Sequence, residues 1–235
     1  MFGPPRIRLA APGHREHRDG QAQRHQGHDG RYLKVVDLLE RAVEDLDRSL
    51  SHQPLMQATL WNVIGKTFTG LGLPHESIGV FQRALEIRRR LLGEDDEDTL
   101  NSYHHLAMAY QDAGRSDQAI PLLETTLARR RATLGEDHAN TINSLNDLAW
   151  AYWKAGRPHE AIPLYEAARA RARAEWGQDH LRTLTITDNL AVAYAAAGQP
   201  ARAIPLHEQV LARLQAKLGA EHVIPLVTMN NLARA

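Results

Sequence analysis

Residues 141–182 read TINSLNDLAWAYWKAGRPHEAIPLYEAARARARAEWGQDHLR. In the first half, Leu145, Leu148, Ala149 and Tyr152 fall at helical spacing on one stripe. Gly156 then supplies a residue that ends a helix without a Cβ penalty, and Pro158 suits the first turn of the next. The second half sets Ala161, Tyr165 and Ala168 on one side and closes at Gly177. The stretch therefore predicts two helices, A and then B, joined by a tight turn.

The same text recurs on both sides. Thr99–Asn140 begins TLNSYHHLAMAYQDAG and Thr183–Ile224 begins TLTITDNLAVAYAAAG. Gln57–Asp98 is a looser copy, with Ile64, Gly65 and Phe68 in the Leu-Ala-x-x-Tyr places. Eight glycines, from Gly72 to Gly219, each follow the last by 21 residues, and two alternating patterns make the period 42. Pro121, Pro163 and Pro205 recur about a turn and a half into each B helix, where a bend is expected. A unit of this length cannot bury its own apolar face and must stack on its neighbours. The expected units are 57–98, 99–140, 141–182 and 183–224, with a truncated copy at 225–235.

Composition narrows the function. Lys plus Arg equals Asp plus Glu at 28 each, which argues against a dedicated nucleic-acid binder. Zero cysteines exclude disulfides, thiol nucleophiles and thiolate metal sites, and fit a cytoplasmic protein. No apolar run reaches the ~18–20 residues of a membrane span.

Asn189-Leu-Ala-Val-Ala-Tyr194, Glu160-Ala-Ile-Pro-Leu-Tyr165 and Leu134-Gly-Glu-Asp-His138 resemble the tetratricopeptide repeat in its 42-residue kinesin-light-chain-like form. The likeness spans residues 57–235. It implies an all-α, right-handed superhelical solenoid that presents a concave groove to a protein or peptide, without catalysis or cofactor. A second likeness covers residues 30–100, where GRYLKVVDLLERAVEDLD and QPLMQATLWNVIGKTFTGLGL are similar to the segment joining a bacterial serine/threonine kinase domain to its repeats. It implies, as the alternative, a fragment or truncated relative of such a kinase serving as its regulatory or substrate-docking region. No glycine-rich phosphate loop or Asp-Phe-Gly accompanies it, and His17-Arg18-Asp19 lacks the Leu and Asn that complete a catalytic loop.

Residues 1–30 hold five glycines, three prolines and few large apolar side chains, so a disordered leader is expected. Residues 31–56 read as a lone helix and linker, in register with a helix B. The truncated copy at 225–235 leaves its neighbour's apolar face uncovered, which suggests self-association there.

No candidate chemistry survives scrutiny. His14/His17 and His25/His28 lack a scaffold, while His138, His180 and His222 recur in the B–A turns as turn residues. Adjacent His104 and His105 are expected on different helix faces, so no metal site is expected. The serines lack a strand–turn–helix elbow. Arg88–Arg90, Arg129–Arg131 and Arg169/Arg171/Arg173 read as solvated charge on the later turns of B helices, with an acidic partner or nucleic acid held on the convex side as the alternative. Trp61 and Trp176 take core positions.

In the resembled family, the non-core face of successive A helices lines the groove. Here that face carries Asn143, Asn146, Trp150 and Trp153. One copy earlier it carries Asn101, His104, Met108 and Gln111, and before that Thr59, Asn62, Lys66 and Thr69. One copy later it reads Thr185, Asp188, Val192 and Ala195. The family's Asn that contacts peptide backbone falls at Asn62, Asn146 and Asn230, and His104 and Asp188 depart from it. The expected groove set is therefore Asn62, Lys66, Asn101, His104, Met108, Gln111, Asn143, Asn146, Trp150, Trp153 and Asp188.

Overall fold

The computed structural model describes residues 30–219 and 221–234. The expected leader lies outside the described residues, apart from Gly30. Contacts divide the chain into two compact units, residues 1–45 and 46–235. Helix α1, Gly30–Ser49, begins in the first and ends in the second.

The second unit is an all-α, right-handed superhelical solenoid. Its A helices are α2 (Pro54–Gly70), α4 (Glu97–Asp112), α6 (Ala139–Lys154), α8 (Leu181–Ala196) and α10 (Val223–Arg234). The B helices are α3 (Pro74–Leu92), α5 (Ser116–Leu134), α7 (Pro158–Trp176) and α9 (Pro200–Leu218). Each helix from α2 onward packs on the next, and α2 also meets α4, as α6 meets α8.

The two turn types use glycine differently. After α6, Gly156 N–H bonds to the Trp153 carbonyl at 3.0 Å and Arg157 N–H to that of Tyr152 at 2.9 Å. Gly156 sits at φ 74 to close this C-terminal motif. After α7, Gly177 takes φ 86 and ψ 161, a region open essentially to glycine alone. The next helix is then capped by a side chain. Asp96 Oδ1 accepts the Asp98 N–H at 2.9 Å, and His138 Nδ1 accepts the Asn140 N–H at 3.2 Å. His180 and His222 cap α8 and α10 in the same way, which gives the repeated turn histidines a specific task.

Pro121, Pro163 and Pro205 lie inside α5, α7 and α9, and each is exposed. Each proline denies the carbonyl one turn earlier its usual helical donor, and at an exposed position water can satisfy that carbonyl, so the helix continues.

The core follows the stripe read from sequence. Leu145, Leu148, Ala149, Tyr165, Ala168 and Leu190 are buried together. Gly65 on α2 lies against the Phe81 ring on α3, and the equivalent positions of the next two repeats, Ala107 and Leu123 and then Ala149 and Tyr165, are buried in one core. A Cβ on Gly65 would lie 2.5 Å from the Phe81 ring.

Two expectations are corrected. Arg88 and Arg130 are not solvated; they are 6% and 3% exposed. Each guanidinium crosses the stack: Arg88 donates to Ser102 Oγ at 2.9 Å, and Arg130 to Ser144 Oγ at 2.9 Å and Asn101 Oδ1 at 2.7 Å. Stacking brings polar A-helix atoms over those positions and makes burial tolerable. Trp61 is core, but Trp176 is only half-buried at the core's edge, with the Arg182 guanidinium 5.1 Å above its ring. His104 and His105 do face different neighbours, His104 toward Asp147 on α6 and His105 toward Phe81 on α3, although their rings still meet edge-on at 5.4 Å.

Candidate functional site

Successive A helices bring the sequence-derived stripe together as a row, one helix beside the next. Asn101, His104 and Met108 on α4, Asn143, Asn146, Trp150 and Trp153 on α6, and Asp188 on α8 are all half-buried. Lys66 on α2 is exposed. Asn62 and Gln111 depart from the expected open surface: both are buried, at 6% and 3% exposure. Asn62 donates to the Ala58 carbonyl at 3.1 Å, folding its amide back onto its own helix.

The row is held by polar rungs between residues 43 apart. Asn189 donates to Asn146 Oδ1 at 3.0 Å, and Asn231 donates to Asp188 Oδ2 at 3.0 Å. The His104 Nδ1–Asp147 Oδ2 pair, at 3.4 Å, makes the same step from α4 to α6. Asn146 also donates to Asp147 Oδ1 at 3.1 Å. Asn101, as noted, receives Arg130. Among the described residues, two stripe amides make no side-chain hydrogen bond: Gln111, which is buried, and Asn143, which is half-buried. Sequence periodicity located the row but not the rungs, whose signal was the polar pair repeated at 43 rather than 42.

Beside these amides the two indoles stack on each other, with centroids 4.5 Å apart and planes 29° apart. Both rest partly on the core and keep part of their surface open. Met108 and Val192 extend this apolar strip to the neighbouring A helices, both half-buried.

Electrostatics along the row follow from burial. Desolvation lowers the His104 imidazole's pKa and raises that of the Asp147 carboxyl, and each partner's charge opposes the other's shift. Burial, aided by His104 and nearby cations, pushes His105 down to about 3, so it is neutral near pH 7. On α9, His207 is fully buried and pairs through Nδ1 with Asp188 Oδ1 at 2.7 Å. It occupies the place of Phe81, Leu123 and Tyr165 and fixes the Asp188 carboxylate from below.

Among the described residues, no group of three or more His, Asp or Glu is placed to hold a metal ion. His14, His17, His25 and His28 lie outside them. Ser102 and Ser144 each accept from an arginine and donate to a backbone carbonyl, which leaves no activated hydroxyl. No described helix is long and apolar enough to cross a membrane.

The comparisons agree with the fold. The chain is similar to a Podosopora anserina kinesin light chain with nearly identical TPR-like repeats, at 31% identity and a TM-score of 0.67. That match covers 75% of this chain and 83% of the other. BtubC (BKLC) from P. vanneervenii shares the fold at 22% identity and a TM-score of 0.71, over 87% of this chain and 82% of that one. A Rap protein complexed with competence and sporulation factor shares it at 13% identity and a TM-score of 0.62, over 87% and 60%. None of the curated proteins matches the sequence. The tetratricopeptide repeat model matches residues 55–131, 98–174, 156–216 and 181–235, and the chain belongs to that family.

Proposed function

We propose that this chain is a non-catalytic scaffold that binds a protein or peptide segment along the row formed by α4, α6 and α8. The observation that supports it best is the stacked Trp150–Trp153 pair, part open and part seated on the core. A rigid aromatic pair of this kind loses little entropy on binding and offers the anchor that interface hot spots favour. Asn143 supplies an unengaged amide for a peptide backbone, and the His104–Asp147 and His207–Asp188 pairs hold the surrounding polar groups in place. The Rap neighbour is described in complex with competence and sporulation factor, which is in keeping with ligand capture on this fold. Cytoplasmic residence accompanies the reading.

The test is affinity capture with residues 31–235 as bait, beside the same bait carrying Trp150→Ala and Trp153→Ala. A partner retained by the first and lost by the second supports the reading. A partner retained equally by both places the binding surface elsewhere.

A further inference from the structure

The first two junctions between consecutive B helices repeat one electrostatic motif. At the first, Arg129 bonds to Asp95 at 2.6 Å and lies 3.6 Å from Glu94, while Arg89 reaches Glu94 at 3.7 Å. At the second, Arg171 and Arg131 reach Glu136 at 2.8 and 3.1 Å. Two arginines face two turn carboxylates in each case, with Leu85 or Leu127 buried beside them.

The third junction breaks this balance twice. Arg213 still pairs with Asp179, but the turn glutamate is replaced by Gln178, so Arg173 has no carboxylate there. The buried leucine is replaced by Arg169, whose Nε is buried without a hydrogen-bond partner. Thr187 stands where α4 has Tyr103 and α6 has Leu145, and the smaller side chain leaves room. A shallow notch results between α7, α8 and α9, with a volume of ≈ 10 Å³, room for about one water. Arg169, Arg173, Arg213, Gln178 and Gln209 line it. Glu166 also acts on Arg169 but is held by Arg202 at 3.0 Å, so four guanidiniums face two carboxylates, Asp179 and Glu166, and about two positive charges remain without counterpart beside two amides able to donate.

We propose that the arginine rim of this notch is an anion site for a dianionic phosphoryl group seated over its mouth, supplied either as free phosphate or as a phosphorylated side chain. A phosphate monoester carries about −1.5 to −2 charges near neutral pH, which matches that excess. Planar guanidiniums suit its oxygens by paired hydrogen bonds. The site lies between B helices, away from the tryptophan pair, and stands independently of the scaffold reading.

The neighbouring junctions supply the controls. Arg169→Leu restores the residue of the first two junctions, and Gln178→Glu restores their carboxylate, so both variants should keep the fold, as circular dichroism would verify. Titrations with inorganic phosphate, and with a capped Gly-phosphoserine-Gly peptide beside its unphosphorylated form, are followed by arginine Nε resonances in NMR. Saturable shifts at Arg169 and Arg173 are expected, with ~10-fold or greater weakening in either variant. If the phosphopeptide binds ~10-fold more tightly than phosphate, a phosphorylated chain is the source; comparable affinities make free phosphate the ligand. Absence of saturable shifts, or equal binding by wild type and Arg169→Leu, would overturn the site.

Discussion

The guanidinium of Arg130 donates to the Ser144 hydroxyl at 2.9 Å from a position 3% exposed, tying helix α5 to α6. The same side chain holds Asn101 on α4 at 2.7 Å, so one residue bridges three helices. Burial lowers its pKa, and Glu97 and Asp147 oppose that shift.

Truncating this bridge is expected to strand buried polar groups. Arg130→Ala should destabilise the array by about 2–4 kcal/mol in chemical denaturation. Arg130→Lys should recover only part of it, because an ammonium cannot span Ser144 and Asn101 as the planar fork does. A loss under ~0.5 kcal/mol for the alanine variant would mean that the bridge contributes nothing net.

Gly65 and Phe81 form a size pair. Gly65→Ala gains helix propensity of up to about 1 kcal/mol, yet the new methyl meets the Phe81 ring at 2.5 Å. Overpacking of about 1–3 kcal/mol should prevail, giving a net loss. The double variant Gly65→Ala, Phe81→Leu recreates the Ala107–Leu123 pair and should regain much of that loss. A single variant as stable as wild type would show that the ring moves aside freely.

His105 makes the fold sensitive to acid. Its folded pKa, about 3, lies below the ordinary value of 6.5, so the unfolded chain binds the proton more readily. Its contribution is present above pH 6.5 and declines as pH falls toward 3, by at most about 1.4 kcal/mol per unit. His105→Gln should therefore flatten the fall of Tm between pH 7 and 5. Parallel pH profiles for the two proteins would assign the acid sensitivity to other groups.

The histidine caps are open to exchange. Asp96 does at α4 what His138 does at α6. His138→Asp should keep stability, whereas His138→Ala should lose about 1 kcal/mol. Thermal melts that rank the alanine variant level with wild type would contradict the cap.

Much of the fold was legible in Gly72 through Gly219, because a helix stop at constant interval dictates equal helices, and the Leu148–Ala149–Tyr152 stripe dictates which side packs. The row of Trp150, Trp153 and Asn143 was legible for the same reason: periodicity assigns faces. What the glycines and stripes could not show was the neighbour opposite each face. Arg88 and Arg130 look like surface cations until stacking sets Ser102 and Ser144 beside them. Asn62 and Gln111 share the register of the row, yet lie where adjoining side chains close over it. The change from Leu127 to Arg169 is visible by aligning copies, but its meaning depends on Gln178 and Thr187 arriving at the same junction.

The most direct test of the scaffold reading is isothermal titration of the captured partner into wild type, Trp150→Ala and Trp153→Ala, with the helical signal recorded for each. Each substitution is expected to weaken binding by about 2 kcal/mol or more while leaving the helical signal nearly intact. Unchanged affinity in both variants, or unfolding of either, would contradict the assignment of the binding surface to this pair.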